Sequence, residues 1–228
     1  MRDRPSAPVA RAGRSPASAS LDLVCCSPVG RHLAVLVRLA ERGSAAMLPW
    51  ARLDPGAALD ASAARLAREQ LGRAPSWIAL LGVAGEGKRH PSGAPISVTY
   101  VAVAPTGTPA PEGMEWIAVS ELPTLAPRQQ PMVLSAVAAL RDRMDIAPIA
   151  FRMLPSEFTL SELQQTYELL LGRRLHKASF RRALQAAYLV EPTDAWRSEG
   201  RGRPAQLFRY APRRRGAIRR PVRFELLA

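Results

Sequence analysis

Basic and amide side chains that could contact DNA occur at helical spacing in residues 177–189. At 100° per residue the apolar side chains share one face, and Ala178, Arg182 and Gln185 lie on the opposite face. Arginine and glutamine can reach base edges in the major groove, whereas lysine and serine can hold phosphates. A solvated basic face would have the same composition, so the neighbouring elements must decide between the two interpretations. The candidate DNA contacts on this helix are Lys177, Ser179, Arg181, Arg182 and Gln185.

A well-marked helix precedes this stretch. Residues 159–171 have helical apolar spacing, with a T-x-x-E capping box at Thr159 and Glu162 and a glycine, Gly172, at the end. Phe158 can pack onto Leu163 as a hydrophobic staple. Two helices joined by a short turn are typical of a helix-turn-helix, which favours the DNA-binding interpretation.

Short strands complete the pattern. Residues 149–154 predict one strand, and 188–196 and 205–210 predict two more around the hairpin EGRGRPA. The resulting order is that of a winged helix-turn-helix. Because a glycine-arginine tip can approach the DNA backbone or minor groove closely, Arg201 and Arg203 are also candidate DNA contacts. The arginine-rich residues 212–228 could either touch phosphates or form a disordered basic tail.

The charge distribution agrees with a polyanionic partner. The 228-residue chain has a formal net charge of +13. Residues 151–228 hold 16 Arg or Lys and 7 Asp or Glu, an excess of nine, whereas residues 1–150 hold 16 and 12, an excess of four. Such an excess favours nucleic acid or an anionic membrane. No stretch approaches the roughly 20 continuous apolar residues of a membrane span, so we expect a cytoplasmic protein without membrane contact.

The N-terminal half alternates predicted strands with one helix. Strands are predicted at 21–27, 31–39, 77–83, 96–104 and 115–119, and a helix within 54–72. Cys25 and Cys26 are adjacent on the first strand and should point to opposite faces, as half-buried thiols without a disulfide. Residues 1–20, rich in Arg, Ser, Ala and Pro, predict a disordered tail, although their composition is also that of a transit peptide.

The segment FTLSELQQTYELLLGRRLHKASFRRALQAAYLVEP, followed by GRGRPAQLFRY, resembles the winged helix of Nudix-related transcriptional regulators of the NrtR type. Leu48–Pro49, LGVAGEGKRHPSGAPISVTYVA and EWIAVSELPTLAP resemble the Nudix-like fold that precedes it in that family. The resemblance implies a bacterial regulator, typically a repressor of NAD-biosynthesis or pentose-use genes. It also implies a homodimer on a two-fold operator, with ADP-ribose or a related NAD metabolite as effector.

The catalytic motif of Nudix hydrolases is degraded in this chain. The box G-x5-E-x7-R-E-U-x-E-E-x-G-U, with U aliphatic, holds divalent metal through glutamates on one helix face. Anchoring it on Gly72 places Ala51, Ala57, Leu66 and Gln70 at the first glycine and three of the glutamates. Arg65 and Glu69 are retained, so one box carboxylate of four survives. One glutamate is a poor site for a hard cation, and we expect no enzymatic activity, metal or cofactor.

Three residues are candidate ligand contacts in this half. Arg65 and Glu69 are the retained box residues, although they stand four apart and could simply pair on a helix surface. Arg89 precedes the Pro-Ser-Gly loop and is suited to a ligand phosphate, because arginine binds phosphate bidentately. The family usually has Gly-Gly-Phe at residues 50–52, where this chain has Trp-Ala-Arg. The histidines His32, His90 and His176 are far apart and have no metal spacing, and no Ser-His-Asp, Cys-His or P-loop pattern is evident.

These patterns together predict an α+β protein, with an N-terminal Nudix-like α/β sandwich at 21–130 and a winged helix-turn-helix at 131–211. A basic tail at 212–228 would follow. The predicted function is a dimeric DNA-binding regulator, and a repressor in preference to an activator, with a catalytically inactive, effector-sensing domain. Two alternatives stay open: a Nudix pyrophosphohydrolase with a basic appendage, or an effector-independent DNA-binding protein whose Nudix-like half is a dimerisation scaffold.

Overall fold

The computed structural model describes residues 19–39, 45–85, 88–144, 147–198 and 204–211. Its N-terminal part, called the sheet domain here, contains six strands and one long helix. In chain order these are β1 (Ala19–Val29), β2 (His32–Val37), β3 (Trp50–Arg52), α1 (Leu59–Leu71), β4 (Trp77–Gly85), β5 (Ile96–Val103) and β6 (Glu115–Ala118). A 3-10 turn, Val119–Glu121, follows. The predicted strands and helix are confirmed, whereas β3 was not predicted from the sequence.

Strand β1 is the centre of the sheet. The strand order is β4-β5-β1-β2-β6, and β3 pairs with the first residues of β1. β1 runs parallel to β5 and antiparallel to β2 and β3. Nine of its eleven residues are buried, as expected for a strand covered on both faces.

The two faces of the sheet pack into two separate cores. Cys25 packs with α1 residues such as Leu66 on one face. Cys26 packs on the other face with Leu140 and the C-terminal domain. The cysteines therefore point to opposite faces, as predicted, but the expectation of half-buried thiols is wrong, because both are fully buried and free. Burial raises the pKa of Cys26 to about 12.

The C-terminal part is a winged helix. A connecting helix, α2 (Gln130–Arg143), leads to α3 (Ile149–Arg152), β7 (Glu157–Phe158), α4 (Leu160–Leu171), α5 (Lys177–Ala187), β8 (Val190–Arg197) and β9 (Ala205–Tyr210). The three strands form one antiparallel sheet in the order β7-β9-β8. The predicted capping box is present, since Glu162 N donates to Thr159 Oγ1 and Thr159 N donates to the Glu162 carboxylate.

One prediction in this region is wrong. Residues 149–154 do not form a strand but the short helix α3 followed by a turn. Short apolar runs are ambiguous between strand and buried helix, and here the environment decides. Phe151 packs against Phe158, Tyr167 and Tyr210, with ring centroids 4.5 to 6.3 Å apart, and so joins α3 to α4 and the wing sheet.

A single core crosses from the sheet domain into the winged helix. It includes Val24 and Val35 of the sheet, Leu140 of α2, and Phe180 and Leu184 of α5. α2 therefore packs on both parts, and the boundary at residue 130 stays a prediction. Within the part of the chain that the structure describes, no helix is long and apolar enough to cross a membrane.

Candidate nucleic-acid interface and effector site

Helix α5 presents a polar face to solvent. Lys177, Arg181, Arg182 and Gln185 are exposed and Ser179 is half-buried. The opposite face is anchored by two buried side chains, Phe180 and Leu184, which are 0% and 1% exposed. The structure therefore brings all five predicted contacts on this helix to one accessible surface, which has the side-chain chemistry that a major-groove reader needs.

The turn before α5 is fixed by partly buried polar contacts. Gly172 ends α4 with a positive φ of 70°, a conformation that favours glycine. Glu168 Oε1 accepts from the backbone N–H of Leu175 at 2.9 Å, and Gln164 Nε2 donates to the Leu175 carbonyl at 3.0 Å. The ring of Phe180 packs against that of Tyr167 at 5.4 Å. These contacts hold α5 against α4.

The wing strands are present, but the predicted wing contacts are not described. Arg201 and Arg203 lie outside the described residues, as do residues 1–18 and the arginine-rich residues 212–228. The C-terminal end of β8 is tied to α4, because Arg197 Nη1 lies 2.7 Å from Glu162 Oε1. Trp196, at the same end of β8, is 60% exposed and was not singled out by the sequence.

The three predicted ligand contacts are solvent-accessible but do not form one closed site. Arg65 and Glu69 are exposed on α1. Arg65 lies 4.0 Å from exposed Asp54, and the two other contacts considered for it, with Glu69 or with a ligand, stay predictions. Arg89 is exposed in the loop 88–94, between β4 and β5. Among the residues that the structure describes, no three His, Cys, Asp or Glu side chains are grouped to hold a metal ion.

A buried polar network lies beneath the Arg89 loop, and sequence reasoning missed it. Asp22, in the middle of the apolar β1, is completely buried. Its Oδ1 accepts from Gln129 Nε2 at 2.6 Å and lies 2.9 Å from His90 Nε2. Its Oδ2 accepts from the Ser20 hydroxyl at 2.9 Å. The only sequence signal was a carboxylate inside a strand otherwise buried on both faces.

The protonation of His90 follows from its other contacts. Its Nδ1 accepts from the backbone N–H of Ser92 at 3.0 Å and lies 2.6 Å from the Ser92 hydroxyl. Nδ1 is therefore the acceptor, and Nε2–H donates to Asp22. The edge of Trp50 packs on the same ring, with centroids 5.3 Å apart.

This network contains a serine, a histidine and an aspartate in contact, an arrangement that the sequence pattern did not reveal. Its geometry does not suit nucleophilic catalysis. The His90 side chain is 0% exposed, and the Ser92 hydroxyl accepts from the backbone N–H of Ala94 at 3.1 Å. A general base must reach the proton of an approaching substrate, and the imidazole of His90 is buried where no substrate can reach it. The chain of contacts instead holds the loop 88–94 on the sheet.

The same loop is fastened to the beginning of α2. Arg128, which is 7% exposed, donates from Nε to the Lys88 carbonyl at 2.8 Å and from Nη1 to the Ala94 carbonyl at 2.6 Å. Gln129 also accepts from the backbone N–H of Leu48 at 2.9 Å. Arg128 therefore connects both ends of the Arg89 loop to the start of the helix that leads into the winged helix, and Gln129 connects the same point to Asp22 and Leu48.

Hydrogen bonding decides the charge of Asp22. Burial by itself raises the pKa of this carboxyl group, but donors from His90, Gln129 and Ser20 act in the opposite direction. Their combined effect places the pKa of Asp22 below its ordinary value. Asp22 is therefore a buried carboxylate that accepts hydrogen bonds from all three donors.

Comparisons with known proteins agree with this architecture. Residues 150–210 match the family model of the NrtR DNA-binding winged helix domain. The chain is 33% identical over 134 residues to an "ADPR responsive transcriptional repressor NtrR" of Acinetobacter baylyi, covering 56% of this chain. That match spans 53% of the relative, about half of its length.

Two solved structures share the whole architecture. The Shewanella oneidensis NrtR complexed with a 27mer DNA superimposes with a TM-score of 0.73 at 25% identity, over 85% of this chain and 94% of that one. A second Shewanella oneidensis NrtR structure gives a TM-score of 0.70 at 24% identity, over 86% and 94%. The sheet domain therefore has a Nudix-like fold, and a winged helix follows it.

The ionisation of Asp22 predicts the pH dependence of stability. The pKa of Asp22 is lower in the folded protein than in the unfolded chain, where it is about 4, so ionised Asp22 stabilises the fold above this pH. This contribution to the free energy of unfolding is lost as the pH falls through the folded-state pKa of Asp22. We expect Asp22→Asn to lower the free energy of unfolding by roughly 1–3 kcal/mol at neutral pH, because hydrogen bonds to a charged group are lost. The difference in the free energy of unfolding between wild type and Asp22→Asn should shrink below about pH 4. Urea denaturation at a series of pH values measures this difference.

The matched control is Asp54→Asn, which changes the same charge on a side chain that is 74% exposed. It should leave the urea midpoint nearly unchanged at every pH. Equal stability of wild type and Asp22→Asn at neutral pH would contradict the structural role of the network.

Proposed function

We propose that this chain is a member of the NrtR family, with a Nudix-like domain and a C-terminal winged helix, and that it is a DNA-binding transcriptional repressor that responds to ADP-ribose or a related nucleotide. Its winged helix binds operator DNA through α5 and the wing. Its Nudix-like domain binds the effector without hydrolysing it. The controlled genes would concern NAD metabolism or sugar use, and the protein would act in the cytoplasm.

The observation that carries the proposal is the exposed face of α5. Arg181, Arg182 and Gln185 project from a helix whose other face is locked into the core by Phe180 and Leu184. A helix that only stabilised the domain would gain little from clustering cations on its free face. A helix that enters the major groove needs these donors together with a rigid base. The DNA-bound Shewanella relative has the same overall fold.

The contacts beneath Arg89 supply a physical route for effector control. An effector changes DNA affinity only by binding the free and DNA-bound states differently. A ligand phosphate on Arg89 would pull on the loop 88–94. Arg128, just before α2, binds both ends of this loop, and His90 of the loop shares Asp22 with Gln129. The far end of α2 packs in the core that also contains Phe180 of α5. Displacement of the loop would therefore reach the DNA-binding helix through continuous packed contacts.

We further propose a homodimer that binds a two-fold operator. β4 is an edge strand of the described sheet and exposes Leu80 and Val83, which are 44% and 68% accessible. Exposed apolar groups on an edge strand favour pairing with a second chain. Two winged helices related by a two-fold axis would contact two half-sites about one helical turn of DNA apart.

The first functional prediction concerns DNA contacts. Arg182→Ala should weaken operator binding by roughly 1–3 kcal/mol and relax specificity at one position, if Arg182 reads a base edge. Arg203→Ala should weaken operator and random DNA alike and reduce the salt slope by about one, as expected for a backbone contact. Fluorescence anisotropy against salt on operator and random duplexes measures both.

Two control variants separate loss of a DNA contact from loss of charge and from unfolding. Arg73→Ala removes the same charge from an exposed position after α1 and should leave DNA binding unchanged. Phe180→Ala should destabilise the winged helix by roughly 3–5 kcal/mol and abolish binding through unfolding, visible in its melting curve. A folded Arg182→Ala/Arg203→Ala variant with wild-type operator affinity would show that the DNA surface lies elsewhere.

The second prediction concerns the effector. ADP-ribose should change operator affinity by a factor of about 5–150, and operator should change ADP-ribose affinity by the same factor. Arg89→Ala should weaken ADP-ribose binding and blunt the shift of the operator band in a gel. Arg73→Ala serves again as the matched control. An unchanged melting temperature in millimolar ADP-ribose would favour an effector-independent DNA-binding protein with a Nudix-fold scaffold.

The third prediction concerns catalysis. Glu69 is the one box carboxylate retained, and it is exposed on α1. Among the residues that the structure describes, no three His, Cys, Asp or Glu side chains are grouped to hold a metal ion. We expect no turnover of ADP-ribose or NADH in the presence of Mg²⁺ or Mn²⁺, with products analysed by chromatography. Robust hydrolysis that disappears in Glu69→Gln would instead establish a pyrophosphohydrolase.

A further inference from the structure

An open cleft of about 510 Å³ lies where the Nudix-like domain meets the winged helix. One wall is the turn between β1 and β2 with the 3-10 turn after β6, and the other is α4 with the turn before α5. α2 forms the floor between them. The volume falls within the range of small-molecule sites, which occur preferentially at domain junctions. This cleft is separate from the Arg89 loop, which does not line it.

Four arginines converge on this cleft. Arg31 comes from the β1–β2 turn, Arg141 from α2, and Arg173 and Arg174 from the turn before α5. Among the residues that the structure describes, no carboxylate lies within 4 Å of the guanidinium groups of Arg31, Arg173 or Arg174. Like charges that converge without counter-ions repel one another, so the arrangement is stabilised when an anion lies between them.

The carboxylate in the cleft wall is already engaged. Glu168 accepts through Oε1 from Leu175 N and from Gln164 Nε2, both at 2.9 Å, and so serves the turn between α4 and α5. Arg141 is likewise partly committed, because its Nε donates to the Leu170 carbonyl at 2.5 Å. The remaining guanidinium donors are those of Arg31, Arg173 and Arg174, and guanidinium groups bind phosphate oxygens bidentately.

Apolar side chains form another part of the lining. Leu33 and Val137 are 8% exposed each, and with half-buried Leu169 they form a surface onto which a flat ring can pack. DNA presents a convex ridge of phosphates and would leave such a concave apolar surface unfilled. We propose that the cleft binds a nucleoside phosphate, with its phosphates on the arginines and its base on the apolar floor. This site goes beyond the effector function proposed above.

Occupancy of the cleft would affect how the two domains are joined. Gln165 Nε2 of α4 donates to the Gly30 carbonyl of the β1–β2 turn at 3.2 Å, directly across the cleft. A ligand bridging Arg31 and Arg173 would add charge-assisted contacts between the same two walls. The bound nucleoside phosphate therefore holds the winged helix in a fixed orientation relative to the Nudix-like domain.

The test is calorimetric titration of the full chain with ATP, inorganic pyrophosphate and adenosine, each without divalent metal. We expect one saturable ATP site per chain in the cleft, with pyrophosphate and adenosine each binding at least tenfold more weakly. The double variant Arg31→Gln/Arg173→Gln should lose at least tenfold in ATP affinity while keeping its melting temperature. The matched double variant Arg73→Gln/Arg152→Gln, also on exposed arginines, should bind ATP as wild type does.

Two further arms separate this site from the other phosphate-binding surfaces. Arg89→Ala should leave ATP binding in the cleft unchanged, and the cleft variant should keep wild-type affinity for random duplex DNA. Absence of saturable ATP binding at millimolar concentration would overturn the proposal. ATP binding lost in Arg89→Ala but retained in the cleft variant would overturn it as well. A cleft variant that loses DNA affinity with a lower salt slope and binds no ATP would reassign these arginines to DNA.

Discussion

The buried carboxylate of Asp22 is the constraint on which the rest of the architecture depends. A charge in the middle of the central strand is costly unless every oxygen has a donor, and Ser20, His90 and Gln129 supply them from three different segments. If any one of these three donors is removed, a buried oxygen of Asp22 loses a hydrogen bond. The loop 88–94 and the start of α2 are therefore held in one arrangement by the same charge.

α2 connects the polar network around Asp22 to the winged helix. Gln129, which directly precedes α2, belongs to the polar network, and apolar side chains of α2, such as Leu140, lie in a core shared with α5. Well-packed cores have few intermediate arrangements, so a shift at one end of α2 must be accommodated by repacking at the other. Under the proposed function, effector binding and DNA binding would influence each other through α2, without any direct contact between the two ligands.

Local sequence signals predicted most elements, and long-range contacts were the part that they could not predict. The capping box of Thr159 and Glu162 is contained within four residues, and the amphipathic face of α5 within eleven, so both could be identified from the sequence. The network at Asp22 joins residues 68 and 107 positions apart, so no local pattern marks His90 or Gln129. α3 was mistaken for a strand because its apolar run is too short for periodicity to discriminate. The assignment of individual DNA and effector contacts stays a prediction.

The position of Gln129 also bears on how such regulators can be recombined. Consider a chimera that joins this Nudix-like domain to a foreign winged helix at residue 130. It would replace α2 but keep Gln129 and its contact with Asp22. The new junction would then place a mismatched helix over a buried negative charge. Exchangeable modules in this architecture must therefore include α2 together with the network around Gln129, so that the Nudix-like domain and the winged helix are inherited as a unit.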